Sequence, residues 1–218
     1  MQTSRKKRTY GVTIVEMVVV VAIMGAVALV ARPSISKLLA NQRLKDGAMS
    51  LVAGVNYARS EAILTGNVHL VFFETDALGA TLLDGASNPV PMLILDDGRP
   101  GSANQNCRID GGEPTRVVRL DDGITPGVTG VSTQSPNDLG SGTFSGGSSF
   151  TDPSSADASW VMFRPQGDPV SFDSTCDLGE LGSGAGAFYV TNGARTAAVV
   201  LMPTGGTRLH SWDQGWTN

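Results

Sequence analysis

The chain has little of what catalytic sites are made from. Its 218 residues include two histidines, His69 and His210, and two cysteines, Cys107 and Cys176. Neither histidine stands in a metal-ligand spacing, two widely separated cysteines do not make a zinc site, and no Gly-x-Ser-x-Gly elbow occurs. Both histidines are expected on strand surfaces. The glycine-rich stretch Gly182-Ser183-Gly184-Ala185-Gly186 lacks the lysine of a phosphate loop and precedes a strand-like run, so a hairpin connection is the better reading. No cofactor or metal is implied, and an enzyme reading is left without residues to name. A surplus of positive charge is missing too. The formal charge is −4, and Arg5, Lys6, Lys7 and Arg8 are bunched at the N-terminus. Without them 12 basic residues face 20 acidic ones, and an acidic body repels phosphate backbones, which argues against general nucleic-acid binding.

What the chain does have is one long apolar run. Residues 12–31 carry a single charge, Glu16. About 20 apolar residues in a helix span a bilayer core. The run is longer than the apolar part of a cleaved secretory signal, and an ordinary anchor gives Glu16 no purpose. A charge inside a span costs at least about 2.5 kcal/mol unless it has a partner, so by default it is functional. The basic cluster ahead of the run predicts a cytoplasmic N-terminus. The expectation is a single-pass inner-membrane protein with everything beyond Pro33 exported. Cys107 and Cys176 then lie in an oxidising compartment, which favours one disulfide over two free thiols.

Helical periodicity resumes after Pro33, a residue that loosens a helical turn without ending the helix. Leu44, Ala48, Leu51, Val52, Val55, Ala58 and Ala62 form an apolar stripe, and Gly66 suits a C-cap. An amphipathic helix over 34–64 is predicted, covering an antiparallel sheet. Strands are expected at 68–73, 90–95, 116–120 and 160–164, with a hairpin of 187–191 and 197–202 across Asn192-Gly193, and a closing strand at 207–212. Residues 123–159 are rich in Gly, Ser, Thr, Pro and Asp and read as a long surface loop. Asp96-Asp97-Gly98 and Asp121-Asp122-Gly123 echo each other. Paired carboxylates bind calcium in some loops, but Asp-Asp-Gly after a strand is more often a turn.

The order Arg5-Lys6-Lys7-Arg8-Thr9-Tyr10-Gly11, then Val12-Thr13-Ile14-Val15-Glu16-Met17, resembles the class III signal of type IV pilins and pseudopilins. The resemblance implies a leader at 1–11 cut by a prepilin peptidase after Gly11, with Val12 as the new, N-methylated terminus. It also implies a helix over 12–66, Pro33 as its loosening proline, and a β-rich head over 67–218. Val12 departs from the family's usual Phe or Met. Glu16 lies one helical turn from the freed amine and is expected to meet it, within one subunit or between neighbours; the family implies the latter. Tyr57-Ala58-Arg59-Ser60-Glu61-Ala62, Phe163-Arg164-Pro165-Gln166-Gly167 and Met202-Pro203-Thr204-Gly205-Gly206-Thr207-Arg208 are similar to features of the GspH/FimT branch. The expected fold class is α+β, a pilin fold with a membrane-spanning half-helix. The expected role is a minor pilin priming assembly or sitting at a pilus tip, or else a type II secretion pseudopilin. Other minor pilins, the major pilin, the prepilin peptidase and the assembly platform are the implied partners. Some relatives capture DNA through a C-terminal Gly-Arg-x-Arg motif. Here Gly206-Thr207-Arg208-Leu209-His210 stands instead, leaving Arg195, Arg208 and His210 as the candidate contacts of a DNA-binding alternative.

Overall fold

In the computed structural model, residues 11–144, 147–213 and 215–217 are described, without the side chains of 27–35. The leader expected at residues 1–11 lies, except for Gly11, outside the described residues. The chain divides into two units, Met1–Leu39 and Ala40–Asn218. Helix α1 (Ile14–Thr65) has 52 residues and contributes to both.

In the first unit α1 is preceded by Thr13, whose hydroxyl oxygen accepts the Glu16 N–H at 3.2 Å. Thr13 is thus the N-cap and Glu16 the third helical residue, the spacing of a capping box. The side chains that follow are exposed, among them Ile14, Met17, Val18, Ile23 and Met24. The expected membrane-spanning half, and the single-pass inner-membrane placement built on it, are overturned. Among the described residues no helix is long and apolar enough to cross a membrane. The apolar helical residues with described side chains, 14–26, rise about 20 Å at ~1.5 Å per residue. A bilayer core is roughly 30 Å thick. The expected span over 12–31 continues into side chains outside the described ones, as does that of Pro33.

The second unit is mostly antiparallel sheet. Its strands are β1 (His69–Phe73), β2 (Met92–Asp96), β3 (Thr115–Val118), β4 (Thr125–Pro126), β5 (Phe150–Thr151), β6 (Asp157–Ala158), β7 (Trp160–Phe163), β8 (Pro169–Val170), β9 (Gly186–Thr191), β10 (Thr196–Leu201), β11 (Thr207–Trp212) and β12 (Trp216–Thr217). One sheet runs β3-β2-β1-β7-β8, a second β12-β11-β10-β9-β4, and β5-β6 form a small third. The fold class is corrected accordingly. Among the described residues the chain is α+β, with two five-stranded sheets and a small ribbon and no helix that could span a membrane.

The central strands β1, β2, β7, β9 and β10 are covered on both faces, which is why they read as apolar runs rather than alternating ones, whereas β3 and β11 keep exposed positions. One core joins Leu44, Ala48, Leu51, Val55, Ala58 and Ala62 of α1 to Val71, Phe73, Ile94, Val161 and Phe163 of the first sheet. The same core includes Phe188, Val190, Ala197, Val199 and Leu201 of the second sheet. Gly54 lets α1 approach closely, since a Cβ there would lie 2.8 Å from Val118 Cγ2. The far face of the first sheet carries Leu70, Phe72, Leu93, Leu95, Met162 and Phe172. That of the second carries Ala187, Tyr189, Ala198 and Val200.

Residues 123–159 are not simply a surface loop. They contribute β4, β5 and β6, and Ile124, Ser135, Ser148, Ser149 and Phe150 are buried. Tyr189 Oη donates to Asp138 Oδ2 at 2.6 Å, and Ser149 Oγ donates to the same carboxylate. Burial pushes the Tyr189 phenol up. A segment with few apolar residues is held here by a polar network around the Asp138 carboxylate, which composition alone does not reveal.

Candidate functional site

The start of α1 is the first candidate. Gly11 and Val12 are exposed and precede the helix, so the bond expected to be cut is open to an enzyme. Glu16 is exposed in the first turn, where a carboxylate is favoured by the helix dipole. The cap gives Thr13 a local role that the sequence reading missed, with Glu16 at the third helical position. Its signal, Thr-x-x-Glu at the head of an apolar run, was legible.

Arg59 is the second. It projects from α1 and donates through Nε to the Gly167 carbonyl at 2.9 Å and through Nη2 to the Thr204 carbonyl at 3.1 Å. Gly167 and Gly205 both have positive φ, and a Cβ on Gly205 would lie 2.5 Å from the Gly167 carbonyl oxygen and 2.8 Å from Arg59 Nε. Two glycine turns therefore close on one guanidinium, which offers donors in a fixed fork. The three short segments quoted above, around Arg59, Gly167 and Gly205, meet at this point. Beside it, Arg164 Nε donates to Asp168 Oδ2 at 2.8 Å. The arginine's role as a clamp was not legible in sequence, because it depends on two turns more than 100 residues away.

Cys107 and Cys176 form a disulfide with Cα atoms 5.3 Å apart, between the loop after β2 and the loop after β8. Asp97 is fully buried beside it. Its carboxylate accepts the Asn106 N–H at 3.3 Å and the Cys107 N–H at 3.1 Å. Burial pushes this carboxyl up to about 6, against the lowering effect of those two bonds. Asp97 and the two sulfurs lie close enough to share a metal ion, but the disulfide occupies the sulfurs. Asp96 accepts from Asn67 Nδ2 at 3.0 Å and from the Gly98 N–H at 3.1 Å. Asp121 and Asp122 are exposed, and the Asp121 carbonyl accepts the Ile124 N–H in a turn. Both Asp-Asp-Gly segments thus use turn geometry.

The three candidate DNA contacts do not form a basic surface. Arg195 is ion-paired with Asp213, Arg208 is exposed, and His210 is 2% exposed. Arg208 and His210 alternate with Leu209, which packs on the core beneath α1, so they point to the opposite face of the second sheet. Arg195 instead lines a cavity of about 380 Å³ with Lys45, Leu44, Ala197, Leu209 and Trp212. His69 is also buried rather than on a strand surface, and burial holds its imidazole below the usual range. The β9–β10 hairpin turns through Asn192, Gly193, Ala194 and Arg195, longer than the expected two-residue turn. Asn192 Oδ1 accepts the Ala194 and Arg195 N–H groups, and Nδ2 donates to the Ala40 carbonyl on α1. In the 182–186 stretch, Cβ atoms on Gly184 and Gly186 would clash with the Pro169–Val170 backbone and the Phe150 ring. Those glycines serve close packing.

No protein-family model, no curated protein and no solved structure matches the chain.

Proposed function

We propose that the chain is a non-enzymatic subunit of a pilin-like filament, of the GspH/FimT type, in a type IV pilus or a type II secretion pseudopilus. The observation that carries this reading is the first unit of α1. A capped helix start is followed by exposed Ile14, Val15, Met17, Val18, Val19, Val20 and Val21. A helix that is apolar all round is stable only when something covers it, and helices of the same kind in neighbouring subunits would do so. The resemblance of residues 5–17 to a prepilin signal supplies the route: cleavage after Gly11 frees an amine at Val12. Glu16 of an adjacent subunit would meet that amine when helices stack, and a desolvated charge pair of this kind sets axial register. The head, stapled by its disulfide and by Arg59, would then present its loops. Other pilin-like subunits and a processing peptidase are the partners this reading requires.

Mass spectrometry of the mature chain tests it. A terminus at Val12 is the expected result. A terminus at Met1, or one beyond residue 31, would overturn the assignment. A Glu16→Ala chain is expected to be processed at the same bond yet excluded from filaments.

A further inference from the structure

We propose that Asp97 is the proton relay for closing and opening the Cys107–Cys176 disulfide. The inference is independent of the filament reading. A carboxylate oxygen of Asp97 and both Sγ atoms lie within 4.8 Å of one another. Asp97 is 0% exposed and Cys107 2%, while Cys176 is half-buried. The Cys107 N–H bond to Asp97 Oδ2 ties the carboxylate to that cysteine. An attacking thiolate therefore meets the Cys176 sulfur first, and the sulfur of Cys107 leaves into an apolar surrounding that includes Leu95, Val68 and Phe172. A thiolate expelled there is poorly hydrated, since Cys107 is 2% exposed, so a proton from a neighbour eases its departure.

In reduction by a dithiol, one thiolate of the reductant attacks Cys176 Sγ. The sulfur–sulfur bond breaks, and its electron pair goes to Cys107 Sγ. Protonated Asp97 gives Cys107 its proton and is reprotonated from solvent. The second thiol of the reductant, deprotonated by solvent, then attacks the mixed disulfide, leaving a cyclic oxidised dithiol and a Cys176 thiolate that takes up a proton. Two electrons and two protons reach the protein. Closing runs the reverse course. A disulfide oxidant forms a mixed disulfide at Cys176, ionised Asp97 takes the proton of the Cys107 thiol, and the thiolate closes the bond as the oxidant's thiolate leaves. Asp110 and Glu113, in the same loop, are the charged groups that act on Asp97, and both oppose its ionisation. A carboxyl titrating near 6 is ionised, and ready to accept, at neutral pH.

The test is the rate of reduction of the folded full chain by dithiothreitol, kept dispersed in mild detergent, read by thiol alkylation and mass spectrometry from pH 5 to 8. After correction for the reductant's own thiolate fraction, the rate constant is expected to fall at least tenfold with rising pH as Asp97 loses its proton. Asp97→Asn is expected to give a flat profile at the low value. A chain carrying Asp110→Asn and Glu113→Gln should keep the profile but move its midpoint to lower pH, and it serves as the second arm if Asp97→Asn does not fold. A flat wild-type profile overturns the proposal. So does an Asp97→Asn profile that matches wild type, an unmoved midpoint in the double variant, or a rate equal to that of global unfolding.

Discussion

Val18 and Val71 are the same residue in two regular elements, yet the first is 62% exposed and the second fully buried. The contrast extends to whole regions. In the first unit the apolar side chains of α1 from Ile14 to Met24 face outward, while in the second the stripe from Leu44 to Ala62 is covered by two sheets. Hydrophobic content does not separate these regions, because both are rich in it. Periodicity does. Within α1, the run at its start has no polar side and its apolar side chains are exposed, whereas the run with one polar side completes a core within the chain. A substitution confined to one region leaves the other as its internal control.

The largest effect is expected in the head. Replacing Cys107 and Cys176 together by serine opens a loop closed across 69 residues. The chain-entropy argument gives a loss of about 4 kcal/mol. Urea unfolding of the head should show the lower midpoint, while processing at Gly11 should be unaffected.

Asp97 makes the next largest contribution, and it depends on pH. Its native pKa of about 6 lies above the ordinary value of 3.8. Between those values the folded state binds more protons than the unfolded one, so stability falls as pH rises through that window and is level above it. The full difference is roughly 3 kcal/mol. Asp97→Asn should abolish that part of the slope, measured as the difference between wild-type and variant unfolding free energies from pH 3.5 to 7. A difference that does not change with pH would show that Asp97 titrates as an ordinary carboxyl.

Arg59→Ala removes a charged donor from two carbonyls and leaves the turns at Gly167 and Gly205 without their common partner. A loss of about 2 kcal/mol is expected. Arg59→Lys should not restore it, because a single ammonium does not reproduce the fork. Gly54→Ala sets two effects against each other. Alanine favours a helix by about 1 kcal/mol, but its Cβ would lie 2.8 Å from Val118 Cγ2 and 3.0 Å from Met92 Sδ. Overpacking costs about 1–3 kcal/mol, so the net should be a loss of around 1 kcal/mol, seen as a lower Tm of the head.

How much of this was legible follows the same division. The stripe of α1 was readable because its period is set by one helix. The strands at β1, β2, β7, β9, β10 and β11 were readable as β-branched and aromatic runs. What sequence did not give was which groups those runs enclose. Asp97 looks like a turn residue, and only the loop folded back over it makes it buried. His210 and His69 look like surface histidines, and the layer over the far face of the second sheet encloses the first while α1 covers the second. The segment 123–159 looks like a loop because its anchoring is polar, through Asp138, Ser149 and Tyr189. At the other end of the chain the apolar run and Glu16 were read together as a charge in need of a partner; the structure adds that Thr13 caps the helix there and that Glu16 stands in the first turn, where the helix dipole favours a carboxylate.

That leaves two roles for one residue, and the smallest expected effect separates them. Thr13→Ala removes the cap that receives the Glu16 N–H, a loss of about 1 kcal/mol confined to the first turns of α1. Far-ultraviolet circular dichroism should show slight fraying, and the head's Tm should not move, since no residue of the second unit takes part. Glu16→Ala removes the carboxylate but keeps the Thr13 hydroxyl, so its fraying should be no greater. If a favoured place at the helix start is all the carboxylate of Glu16 has, the two variants should enter filaments equally well. If the carboxylate meets the amine of a neighbouring subunit, Thr13→Ala should assemble nearly as wild type while Glu16→Ala does not. Equal incorporation of the two would reduce Glu16 to a helix-start residue and leave the exposed apolar face of α1 without its register device.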